Sequence, residues 1–149
     1  MDKKIFTLLI ICIATISIAS VCAGEELVSH DFGKFTMDIP ESQDDISESQ
    51  GGSGNQTIYA VPNTDGSVFA YIEYWDTSNT NGNNNTTSVV LDKVKENYTV
   101  TTDGNITTWT TDDGVDKGYL LSSADDTQVV VVTSSDTRIQ QALNSIIFK

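Results

Sequence analysis

Cysteine and histidine are nearly missing from this chain of 149 residues, which has two of the first and one of the second. A zinc centre needs several Cys, His or carboxylate ligands, and a nucleophilic triad needs a base with an orienting partner. His30, alone between Ser29 and Asp31, supplies neither and reads as an ordinary strand or linker residue. Basic residues are also scarce: 8 Lys and Arg stand against 21 Asp and Glu, a formal net charge of -13. Gripping nucleic acid requires clustered cations, and so does docking on an anionic lipid surface. Nucleic acid is therefore excluded as a partner, and any membrane attachment falls to the N-terminal segment alone. No Gly-x-Ser-x-Gly elbow, P-loop or dinucleotide fingerprint occurs. Gly51-Gly52-Ser53-Gly54 is glycine-rich but lacks a following Lys, and reads as a flexible loop. No internal repeat appears, and the length suits one domain.

What the chain does have begins with an address. Lys3 and Lys4 precede an uncharged apolar run, Ile5 to Val21, and Val21-Cys22-Ala23 places small residues before Gly24. This predicts a secretory signal over 1–23 and a single domain over 24–149, secreted or held at the cell surface. The apolar run also sits at the short limit for an uncleaved anchor, and Cys22 offers a lipoprotein alternative, although Val21 stands where a smaller residue is usual. In each case the body lies outside the cytoplasm. Cys12 and Cys22 both precede the expected cut, so the domain would rely on its hydrophobic core rather than on a disulfide. Without Lys3, Lys4 and Asp2 it keeps 6 basic and 20 acidic residues, a net of -14.

Along the remaining chain, turn signals separate apolar runs. Phe35, Met37 and Ile39 alternate in a strand closed by Pro40. Residues 57–62 and 67–75 predict a hairpin around Asp65-Gly66. Residues 76–87 are low in complexity and read as a mobile loop. Ser88 fits a helix N-cap, with Val90, Leu91, Val94 and Tyr98 on one face. Residues 105–111, 117–123 and 128–134 predict a three-strand meander. Asp136 then opens a terminal helix with a stripe of Ile139, Leu143, Ile146 and Ile147. The expected fold class is α+β: one mostly antiparallel sheet with helices packed on it.

The opening Phe35-x-Met37-x-Ile39-Pro40, the order of elements after it and the closing Ser145-Ile146-Ile147-Phe148 resemble the PsbP-like α/β/α sandwich superfamily. The resemblance spans most of the chain beyond the leader and implies that fold with a binding or accessory role. It carries over no catalytic residue and no cofactor.

Three constellations bear on function. Asp112, Asp113 and Asp116 crowd one turn, where convergent carboxylates can hold calcium outside a cell, although the spacing is not that of an EF-hand. Phe69, Tyr71 and Trp75 alternate on one strand face around Glu73, and form a stacking surface for a sugar or protein partner if that face is open. Large aromatics in a central strand more commonly fill a core. Asn55, Asn84, Asn85, Asn97 and Asn105 head glycosylation sequons. The leading expectation is an exported, non-enzymatic binding or accessory module whose partner is a surface protein or glycan. The alternatives are a carboxylate-dependent hydrolase of cell-wall glycans and a calcium-stabilised adhesion module.

Overall fold

The computed structural model describes residues 26–41, 45–51, 55–76, 86–112 and 114–149. The expected signal segment lies outside them, as do the Gly52–Gly54 tract, most of the Asn-rich loop and Asp113. Among the described residues no helix is long and apolar enough to cross a membrane.

Among the described residues, ten strands and two helices follow one another: β1 (Leu27–Asp31), β2 (Phe35–Pro40), β3 (Ser47–Gln50), β4 (Gln56–Pro62), β5 (Val68–Asp76), α1 (Thr86–Asn97), β6 (Thr101–Asp103), β7 (Ile106–Thr110), β8 (Lys117–Ser122), β9 (Gln128–Ser134), α2 (Ile139–Asn144) and β10 (Ile147–Phe148). They form two antiparallel sheets. The large one has seven strands in the order β3-β4-β5-β9-β8-β7-β6, and the small one has three in the order β1-β2-β10.

This corrects the expected α+β class. The chain is mostly strand, and its two sheets make a sandwich-like β fold rather than a single sheet roofed by helices. The reason lies in β2. Instead of joining the large sheet, it pairs on one side with residues 27–31 and on the other with residues 147–148. The terminal helix is correspondingly short. It ends at Asn144, where the Ser145 hydroxyl donates to the Ala142 carbonyl (2.6 Å) and accepts from the Asp38 amide (2.6 Å). Ile147 therefore leaves the helical stripe and becomes an exposed strand residue.

The core between the sheets is aromatic at its centre. Phe35 has no exposed surface, stacks on Phe32 (centroids 4.7 Å apart) and Tyr74 (5.7 Å), and meets Tyr59 edge-on. Met37, Ile39, Ile72, Val130 and Val132 close around it, with Ile139, Ala142 and Leu143 of α2. Central strand β9 is buried on both faces: Val130 and Val132 enter this core, while Val129 and Val131 enter a second one under α1. That accounts for its continuous valine run, since a strand covered on both sides has no polar face to alternate with.

Arg138 ties the entry of α2 to the β4–β5 hairpin. Its guanidinium donates to both Asp136 carboxylate oxygens (2.9 and 2.7 Å) and to Asn63 Oδ1 (2.6 Å), and lies 5.4 Å from the Phe69 ring centroid. Hydrogen bonding to Arg138 holds the Asp136 carboxyl below its ordinary value of 3.8. Asp136 also accepts the Arg138 amide (2.9 Å), which starts the turn into the helix.

Two outcomes are expected. Phe35→Ala should cost about 3–5 kcal/mol in denaturant unfolding, as for other fully buried aromatics, and a cost under about 1 kcal/mol would contradict this core. Asp136→Asn should cost on the order of 1–2 kcal/mol at neutral pH, for loss of a charge-assisted pair. Because the folded carboxyl titrates below the unfolded one, that stabilisation is present above the unfolded value and fades as pH falls through the folded one. The stability curves of parent and variant should converge in acid, and a constant gap across pH would contradict the ion pair.

Candidate functional site

Among the described residues, the second face of the large sheet is only partly covered. Register places Tyr71, Glu73 and Trp75 of β5 beside Thr133, Val131 and Val129 of β9. Leu120 and Gly118 of β8 follow, and then Thr107 and Trp109 of β7. Helix α1 lays Val90, Leu91 and Val94 over the Val129, Val131, Leu120 and Trp109 part of this surface. It leaves the β5 side open, and Tyr71 is 48% exposed there. Between helix and sheet runs a groove of about 280 Å³, with a floor of Glu73, Trp75, Val131, Thr133 and Trp109 and a wall of Val90, Lys93, Val94 and Tyr98.

The groove's aromatic rings serve different purposes. Trp109 is a structural plank. One face lies flat over Gly118, where an added Cβ would sit 2.1 Å from Cε2 of the indole. Tyr98 stacks on Trp109 at 6.4 Å and 25°. Glycine is thus required in the middle of β8 because a neighbouring ring occupies the side-chain volume. Trp75 is different. It is half-buried, its indole N–H is shielded from solvent yet has no hydrogen-bond partner among the described residues, and the Lys93 ammonium sits 5.8 Å from its ring centroid. An unpaired buried donor costs roughly 1–3 kcal/mol, so the ring is held by packing alone with no polar anchor. Glu73 faces the same space and accepts a hydrogen bond from Gln56 Nε2 at 2.7 Å.

The structure brings Tyr71, Glu73 and Trp75 onto one face and sends Phe69 to the other. Phe69 and Ala70 are consecutive and both fully buried, so alternation breaks there. The cause is a register shift at Val61/Pro62, where proline has no N–H to give the ladder. Phe69 enters the inter-sheet core, and its carbonyl accepts the Ser134 hydroxyl (2.5 Å).

The remaining candidates lie elsewhere. Asp112 and Asp116 belong to the β7–β8 turn, where the Asp116 carbonyl accepts both the amide and the hydroxyl of Thr111 (3.1 and 3.0 Å). Among the described residues no group of three or more His, Cys, Asp or Glu is placed to hold a metal. His30 lies edge-on to Phe32 at 4.6 Å and lines a separate cleft with Asp31, Glu48 and Tyr59. Asn97 ends α1 and is exposed, donating to the Lys93 carbonyl at 2.9 Å. Asn105 is exposed at the β6–β7 turn, but its sequon partner Thr107 is buried with its hydroxyl 3.1 Å from that of Thr102. Asn55 has a buried, unpartnered Oδ1. Asn84 and Asn85 fall outside the described residues.

Sequence reasoning found Tyr71 and Trp75 through strand alternation but passed over Lys93, Tyr98, Trp109 and Gly118 as site residues. Helical spacing had placed Tyr98 beside Val94. Only strand register could have placed Trp109 over Gly118. No family model, curated protein or solved structure matches the chain. The likeness to the PsbP-like superfamily therefore rests on the sequence motifs alone.

Gly118→Ala should push Trp109 off β8 and loosen its stack with Tyr98. The expected reading is a weakened near-ultraviolet indole signal and a loss of about 1–3 kcal/mol, typical of overpacking. An unchanged spectrum with unchanged stability would contradict the plank.

Proposed function

We propose that this chain is an exported, non-enzymatic binding module of the cell exterior that holds its ligand in the groove between α1 and the large sheet. The observation that carries this reading is the half-covered sheet face: an aromatic ring, a carboxylate and an ammonium around one concave space. Sites of this kind combine apolar walls with a few convergent polar groups. Export is inferred from residues 1–23, and the partner is a surface protein or glycan. Among the described residues, Glu73 is the only carboxylate lining the groove, and Gln56 engages it. Hydrolysis of a glycosidic bond ordinarily uses two flanking carboxylates, so the groove favours binding over the hydrolase reading.

The test is amine footprinting of the full-length protein against neutral glycans, charged polymers, peptides and small metabolites. A ligand of the groove should slow acylation of Lys93 and alter indole fluorescence, while Lys95 and Lys117 label as before. If no chemical class changes Lys93 labelling, the binding reading fails.

A further inference from the structure

We propose that the groove is built for a neutral sugar chain running along β5, with one pyranose on Trp75 and another, two units along, over Tyr71. This rests on the reading of the groove as a binding site and names the ligand class. Four observations converge on it.

The first is charge. The groove holds one group of each sign, Glu73 and Lys93. An anionic ligand would meet Glu73 within a chain of net charge -13, and a cationic one would meet the like charge of the Lys93 ammonium. A neutral polyol meets no repulsion, and its hydroxyls both donate to a carboxylate and accept from an ammonium. Thr133 adds a hydroxyl to the floor.

The second is the Trp75 indole. Its N–H is shielded and has no partner among the described residues, so a tilt of the ring that brings it to a ligand oxygen would satisfy it without breaking a hydrogen bond. An ammonium ligand has no lone pair to offer it.

The third is shape. The C–H face of a pyranose is apolar and weakly positive, which suits the negative face of an aromatic ring. Lys93 is an exposed side chain on the helix and can swing away from the ring.

The fourth is spacing. Tyr71 and Trp75 lie four residues apart on one strand face, roughly 13 Å at the usual strand rise. Glu73 stands midway between them. That span is longer than one glycosidic step, so it suits a chain of three sugars better than a single one. The opening of the groove on the Tyr71 side leaves the chain free to continue.

The experiment is calorimetric titration of the full-length protein with neutral probes, namely oligosaccharides of glucose, mannose and N-acetylglucosamine from one to six units. Polygalacturonate and spermine are the charged probes. At least one neutral series should bind, with affinity rising about tenfold or more from one to three units, the scale of one added aromatic contact. Tyr71→Ala, at an exposed position that leaves the fold intact, should abolish that gain while sparing the monosaccharide. Trp75→Ala should remove binding altogether, with unfolding monitored alongside. A neutral glycan that binds with no dependence on Tyr71 or on chain length would overturn the proposal. So would a charged probe that protects Lys93 while every neutral series is silent, although the groove would then still be a binding site. Silence from all probes, with Lys93 labelling unchanged, would sink both readings together.

Discussion

The whole molecule depends on one constraint: the large sheet is apolar on both faces and must be covered twice. Strand β9 sets this condition, because its valines point alternately into two separate cores. One face receives a full cover from the small sheet and α2. The other receives a single helix of twelve residues across seven strands. A helix is about 10 Å across and strands are spaced by about 4.8 Å, so α1 can shelter only two or three of them. The groove is the remainder of that mismatch.

The same constraint explains how the aromatic residues divide. Phe35, Phe32, Tyr59 and Tyr74 fill the space between sheets, where the cover is complete. Trp109, under the helix, is fixed between Gly118 and Tyr98. Trp75 and Tyr71 lie at and beyond the helix edge, where nothing fixes them by hydrogen bonding through the indole or fully encloses the ring. Rigidity therefore falls off across one sheet face, from plank to open plate.

Much of this was legible in the sequence, for physical reasons that can be named. Strands β2, β4, β5, β7, β8 and β9 announce themselves because they bury side chains and so carry apolar patterns. Strands β1, β3 and β6 do not. Ser47–Gln50 and Thr101–Asp103 are wholly exposed, sit at the two edges of the large sheet and are held by backbone pairing that no side-chain pattern records. Ile146-Ile147 satisfied a helical stripe and a short strand equally well, and the Ser145 hydroxyl decided between them. That small choice gave β2 its second partner, in a sheet that β1 and β2 already set apart from the large one. Phe69 misled because alternation was extrapolated through a bulge that Pro62 imposes.

The small sheet also sets how the molecule bears force. Strands β1 and β10 flank β2 on opposite sides, with Leu27 beside Pro40 at one end and Phe148 beside Phe35 at the other. A pull between Leu27 and Phe148 therefore loads these ladders in shear, with their hydrogen bonds sharing the load instead of opening one by one. The two-residue β10 ladder, backed by the Lys149 amide on the Lys34 carbonyl (2.9 Å) and the Lys149–Asp31 ion pair (2.5 Å), is the part that yields first. The groove lies on the far side of the large sheet, outside that line of tension.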